Sequence, residues 1–318
     1  MTIGKAAHMD ERLECLKRLR TSSPFHKPGL MMAIICEIQA GHITSPRVDL
    51  DDRLLARYHD IYETLKGERS NASPWLPLWH LSSDKGPSGP LWTPDYSPEI
   101  APLARQLGQP KSLNQLFERF SSARLDAELF ESLQAPGTAE TACQLIAHHH
   151  LALEPDALGR LQKYLRVALA SGAYERQPDR MLGSVEEASQ QQYARSAAFR
   201  ALVLETYDYR CAATRLRYIT PDYRYLVEAA HLIPFSVSQD DRPVNGLALT
   251  PNLHWAMDNH LIAPGPDKRW HVSPVIDALV PDNRWLCELD NAPLSMPRDE
   301  QRHPSPEALA WRLAQLQR

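Results

Sequence analysis

The chain has 318 residues, 43% of them hydrophobic and 23% charged, with a formal net charge of −4. That length exceeds what one small domain usually holds, so two domains are expected, and the composition is ordinary for a soluble globular protein. No apolar run approaches the roughly 20 residues that cross a bilayer, the start has no signal-peptide pattern, and the five cysteines are scattered without a CxxC pair, which argues against a disulfide framework and a thiolate zinc knuckle and fits a reducing cytoplasm.

In chain order, residues 9–20 read as a helix, with Leu13, Leu16 and Leu19 recurring every third position. A loop dense in breakers runs to Pro28, which suits the first turn of a helix over 29–40. That helix is apolar on nearly all sides and should be buried, with Gly41 as its stop. Residues 51–66 form an amphipathic helix ended by Gly67. From 71 to 102 prolines break any long helix, and Trp75, Trp79 and Trp92 mark short strand-like pieces. Ser112 caps a helix carrying Leu113, Leu116, Phe117 and Phe120. Residues 126–133, 138–151 and 155–170 read likewise. Residues 171–188 hold Gly172, Pro178 and Gly183 with little apolar content and are expected as a linker. A helix over 190–207, strand-like pieces around 270–276 and a helix over 305–317 follow. The fold class is α+β: a mostly helical domain with a short strand segment over 1–170, then a second domain over 189–318.

Charge is uneven. Lys5, Arg12, Lys17, Arg18, Arg20 and Lys27 gather near the start, and Arg195, Arg200, Arg210, Arg215, Arg217 and Arg224 between 191 and 225. Two locally basic faces on an acidic chain suit site-directed DNA contact, although solvated helix faces would look the same.

The chemistry concentrates between 207 and 263. Cutting a phosphodiester needs a base for water and positive charge for the phosphate. His231 closes a strand and is followed by Leu-Ile-Pro, and its imidazole suits the base. Asn245 can fix that imidazole or the loop around it. Thr250-Pro251 looks like a helix start, which puts His254 and Asp258 one turn apart as half of a metal site. Leu226, Leu247, Leu249, Leu253 and Trp255 are expected as the packing that braces this segment. His260 lies near and competes with His254 at a poorer spacing. The His148-His149-His150 run looks like a metal tag but ends a helical segment.

The phrases EAAHLIP, NGLALTPNLHW and the Asp four residues past the last His resemble the HNH, or ββα-metal, endonuclease family over roughly 210–262. The resemblance implies that His231 is the general base, Asn245 the orienting residue and His254 a metal ligand, with Asp258 a second. Many members carry a ligand just before the first His. Here that position is Ala230, and Glu228 on the same strand face is the substitute. The implied cofactor is a divalent metal: Mg²⁺ or Mn²⁺, with Zn²⁺, Ni²⁺ or Co²⁺ as alternatives.

In the first domain, Phe25-His26-Lys27-Pro28 and the later Leu76-Pro77-Leu78-Trp79-His80 resemble the sulfur-binding domain of phosphorothioate-dependent type IV restriction endonucleases. That resemblance implies Leu76, Pro77 and His80 bordering a sulfur, with His26 and Lys27 gripping the DNA. The partner would be double-stranded DNA, the oligomer a homodimer and the location cytoplasmic. Two other readings stay open: a nuclease directed at another mark, such as a methylated base, and a DNA-binding protein with an inert ββα module.

Overall fold

The computed structural model describes residues 11–68, 71–135, 137–152, 154–183, 189–221 and 223–318. The start of the first expected helix and residues 184–188 of the expected linker lie outside these. The chain divides into two compact units, Met1–Gly172 with Pro221–Tyr223, and Ala173–Thr220 with Arg224–Arg318.

The first unit is built around α1 (His26–Gln39). Leu30, Met31, Met32, Ala33, Ile34 and Ile35 are all fully buried, as expected for a helix apolar on every side. Each large side chain among them contributes about 1.5–3 kcal/mol by leaving water. A 3-10 helix (Glu11–Arg18) lies where an α-helix was expected. The reason is the leucine period: Leu13 and Leu16, buried one 3-10 turn apart, match three residues per turn. Helix α2 (Asp52–Lys66) is capped by the Asp51 side chain, which accepts from the Leu54 N–H, and ends at Gly67 with φ 76°.

The expected strand at Trp75 and Trp79 is instead a short helix, α3 (Trp75–His80). Pro77 stands in its first turn, where no N–H is required, so the proline that argued against a helix is tolerated. Trp92 does open a strand. The sheet has the order β1-β3-β2, from β1 (Arg47–Asp49), β2 (Trp92–Pro94) and β3 (Ser122–Leu125), with both pairings antiparallel. The helices α4 (Leu113–Phe117), α5 (Ala127–Gln134), α6 (Thr138–His150) and α7 (Pro155–Arg176) complete the unit's helical part. Helix α7 continues beyond position 170, through the first residues of the expected linker. Gly172 does not break it. A Cβ there would lie 3.1 Å from the Ala40 Cα, so this glycine permits close packing instead.

The second unit opens with α8 (Ser189–Thr206). A β-hairpin follows, β4 (Glu228–His231) and β5 (Gly246–Leu249), paired antiparallel with His231 opposite Gly246. The long connection between them carries a helical turn, α9 (Phe235–Ser238). Helix α10 (Pro251–Asp258) comes next and completes a β-β-α unit, with Thr250 and Pro251 at its start as read from the sequence. A second hairpin, β6 (Ile262–Pro264) with β7 (Trp270–Val272), the turn α11 (Arg284–Cys287) and the last helix, α12 (Pro306–Ala314), follow.

Leu247, Leu249 and Leu253 are buried as expected. Leu226 and Trp255 are not: they are 50% and 62% exposed. Leu253, Ala256 and Met257 take the inner face of α10, which leaves Trp255 outside, and Val227 rather than Leu226 turns into the core. Gly246 matters here. A Cβ would stand 2.5 Å from a Val203 methyl and 2.8 Å from the Phe199 ring, so only glycine lets α8 pass this close to the hairpin.

Candidate active site

His231 ends β4 with its side chain 23% exposed. The ring lies flat on Phe199 of α8, with centroids 3.9 Å apart and planes within 8°. Its Nε2 is 2.8 Å from Asp241 Oδ1. The second oxygen of Asp241 accepts from Arg195 Nε at 2.7 Å, and both of these residues are buried. Arg195 also lies over the Phe235 ring at 4.7 Å. Arg195 is therefore not part of a basic outer face, as its place in the arginine-rich stretch suggested; it is a cation sealed inside the unit.

Asn245 is buried, and its bonds go to the loop rather than to the imidazole. Its Oδ1 accepts from the Ile233 N–H, and its Nδ2 donates to the carbonyls of Ile233 and Asp240, each at 2.9 Å. Its own carbonyl accepts from the Leu232 N–H at 2.8 Å. One amide thus joins both ends of the 233–240 connection. From the far end of the sequence, Arg312 of α12 donates to the carbonyls of His231 (2.9 Å), Leu232 (2.6 Å) and Met257 (3.3 Å). Burial lowers the pKa of this guanidinium, and Asp258 opposes that.

His254 stands between two carboxylates. Its Nδ1 is 2.9 Å from Glu228 Oε2, and its Nε2 is 3.3 Å from Asp258 Oδ2. The sequence named these three residues, and the fold brings them together. The carboxylates lie at opposite ring nitrogens, and no cluster of three metal-ligating side chains arranged about one point occurs among the described residues. The donor chemistry nevertheless fits a divalent ion. A neutral imidazole has one N–H, so it can donate to only one of the two carboxylates, and the nitrogen facing the other needs a proton or a metal ion. One imidazole with an exposed carboxylate is a set that Zn²⁺, Mn²⁺ and similar ions accept. His260 does not take the place of His254. It sits at φ 58° just past α10, where the helix stops.

In the first unit, His26 is the first residue of α1. Its ring lies 4.9 Å from that of Tyr62, and its Nδ1 is 3.1 Å from the Tyr58 hydroxyl. The single Tyr58 hydroxyl hydrogen goes to the Ala72 carbonyl, so His26 Nδ1 must be the donor, leaving Nε2 as an acceptor. Burial lowers the His26 pKa. Lys27 is buried, 2.6 Å from Asp84 Oδ2 and 3.2 Å from Ser83 Oγ. The expected grip of Lys27 on DNA therefore does not fit, because its charge is spent on a buried aspartate. Helix α1 packs on α3, where Pro77 is buried, Leu76 is half-buried and His80 is exposed with its Nε2 2.9 Å from Gln109 Oε1. Of the histidine run, His150 donates from Nε2 to the Leu16 carbonyl at 2.8 Å, a structural role at the end of α6.

Asp241, Arg195, Phe199 and Arg312 were not found from the sequence. The available signal was the Asp240-Asp241 pair, which closes the loop that Leu-Ile-Pro opens.

The β-β-α order, with a histidine ending the first strand and another on the helix, agrees with the resemblance drawn from the sequence. Residues 211–263 match the HNH endonuclease family. The second unit thus carries an HNH endonuclease domain. Among solved structures, the chain is similar to one described as "Modification dependent TagI restriction endonuclease", at 20% identity and a TM-score of 0.31, over 39% of this chain. It spans 39% of the length of that protein. No curated protein matches the chain.

Proposed function

We propose that this chain is a modification-dependent, type IV restriction endonuclease that binds phosphorothioate-marked DNA through its first unit and cuts nearby through its second. A phosphorothioate replaces one phosphate oxygen with sulfur, which is larger, more polarisable and less strongly hydrated. A reader should therefore offer a soft, weakly charged surface to the sulfur and polar groups to the neighbouring backbone. The observation that carries the reading is that α1, which opens with His26 and Lys27, packs against α3, which holds Leu76, Pro77 and His80, while the Lys27 charge is already paired with Asp84. Leu76, Pro77 and His80 would border the sulfur, and the acceptor face of His26 would meet the adjoining bases or sugar.

At the second unit, His231 takes the proton of the attacking water, and Asn245 holds the loop around it. His254, with Glu228 or Asp258, would hold a divalent cation, Mg²⁺ or Mn²⁺. That ion supplies charge for the phosphate and the leaving oxygen. Each chain carries one such site and a duplex has two strands, so a homodimer acts on both. A nuclease defending a cell against incoming DNA would work in the cytoplasm.

The test uses three otherwise identical duplexes, one with a single phosphorothioate, one unmodified and one with a methylated base, each with Mg²⁺ or Mn²⁺. Cleavage of the phosphorothioate duplex alone supports the proposal. Equal cleavage of it and the unmodified duplex, or of neither, overturns it. Cleavage of the methylated duplex alone reassigns the mark.

A further inference from the structure

We infer that Asp241 is a positioning residue for the nuclease: it holds His231 by the Nε2–H, so that Nδ1 carries the lone pair that receives the proton of the attacking water. This rests on the assignment of His231 as the general base, and on nothing about which mark the first unit reads.

Three independent restraints converge on one ring. Phe199 fixes its plane, lying parallel at 3.9 Å. Asp241 fixes its rotation and tautomer, because a carboxylate only accepts and Nε2, at 2.8 Å, must then bear the hydrogen. Arg312 fixes the backbone beneath it by donating to the His231 and Leu232 carbonyls. A buried aspartate needs a partner, and Arg195 supplies one at Oδ2. Its Oδ1 is left for the half-buried His231.

Asn245 then gains a specific task. It bonds to Ile233, at the entry of the loop, and to Asp240, the residue before Asp241. The asparagine bonds to the loop and not to the imidazole, and so sets the length of the span between His231 and Asp241. Its effect on the base passes through that span.

The step balances as follows. The water proton goes to His231 Nδ1 while the water oxygen bonds to phosphorus. The bond from phosphorus to the leaving sugar oxygen breaks, the electron pair stays on that oxygen, and the oxygen takes a proton from solvent. The imidazolium formed meanwhile faces the Asp241 carboxylate, which stabilises its charge without accepting the proton.

The experiment compares the full chain with Asp241→Asn, Asp241→Glu and His231→Ala. Single-turnover cleavage with Mn²⁺ is measured on whichever of the phosphorothioate and unmodified duplexes the wild type cuts. The tautomer of His231 is read in parallel from imidazole ¹⁵N chemical shifts, which need no cleavage. The expected result is an Nε2–H tautomer in the wild type. In Asp241→Asn it is redistributed, the rate falls by about 10²–10⁴-fold and DNA affinity changes less than about threefold; Asp241→Glu recovers part of the rate. If Asp241→Asn does not fold, the paired variant Arg195→Met/Asp241→Asn removes the buried cation together with its partner and takes its place. An Nδ1–H tautomer in the wild type, or an Asp241→Asn rate within about threefold of it, overturns the inference. A fully active His231→Ala would overturn the base assignment itself, and so separates the two failures.

Discussion

Both units bury charge, but they use it differently. In the first unit, Lys27 and Asp84 close on each other at 2.6 Å, and Glu37 is shared between Arg57 Nε and His42 Nδ1 at 2.8 Å each. Those charges lock the entry and the end of α1. In the second unit, Asp241 is shared between Arg195 and a ring that reaches solvent, and Arg312 spends its donors on carbonyls around the same ring. The desolvation cost is similar in kind. In the first unit it fixes a scaffold; in the second it also holds the His231 ring.

The largest effect that would break this contrast is on chemistry. His231→Ala should lower cleavage by roughly 10²–10⁴-fold while DNA retention in a filter assay stays close to wild type; undiminished cleavage would leave the exposed ring with no special role. Chelation by EDTA should abolish cleavage, and added Mn²⁺ should restore it. Next come the two buried pairs. Arg195→Met and Lys27→Met should each cost about 3–5 kcal/mol in urea unfolding, because each strands a buried carboxylate. Under conditions where both are folded and DNA is saturating, only Arg195→Met should slow cleavage. Equal slowing by Lys27→Met would erase the distinction between the units.

A smaller effect concerns acid. Burial by itself would raise the Glu37 pKa, but Arg57 and His42 outweigh it and hold the carboxylate at about 2, against 4.5 for the free group. The folded form therefore gains from Glu37 above about pH 4.5 and loses that gain as pH falls through about 2, on the order of 3 kcal/mol in all. Urea unfolding between pH 6 and pH 2.5 should show this loss in the first unit and a flatter profile in Glu37→Gln. The smallest effect should be Trp255→Ala, within about 0.5 kcal/mol of wild-type stability, since the side chain is 62% exposed.

What could be read from the sequence was local. The buried α1, the start of α10 at Thr250-Pro251, and the strand ending in His231 all depend on nearest neighbours, and each appears where expected. So does the gathering of Glu228, His254 and Asp258, because strand and helix periodicity put them on facing sides. The failures have two sources. Aromatic residues with a proline at 74–81 suggested strand, because a proline in a first helical turn looks like a breaker until the turn is known. Asp241, Arg195 and Arg312 were missed because their partners are remote in the chain, and nothing local distinguishes the aspartate of the Asp240-Asp241 pair that turns inward. Lys27 was misjudged for the same reason: Asp84 is far along the chain.

The grip of Arg312 on the His231 and Leu232 carbonyls also has a consequence in time. Synthesis proceeds from the N-terminus, so β4, β5 and α10 leave the ribosome well before α12 does. Until α12 emerges, those carbonyls lack the guanidinium that holds them, and the backbone beneath His231 rests on an unfinished support. A half-made chain therefore carries both histidines of the β-β-α unit before the seat of His231 is finished.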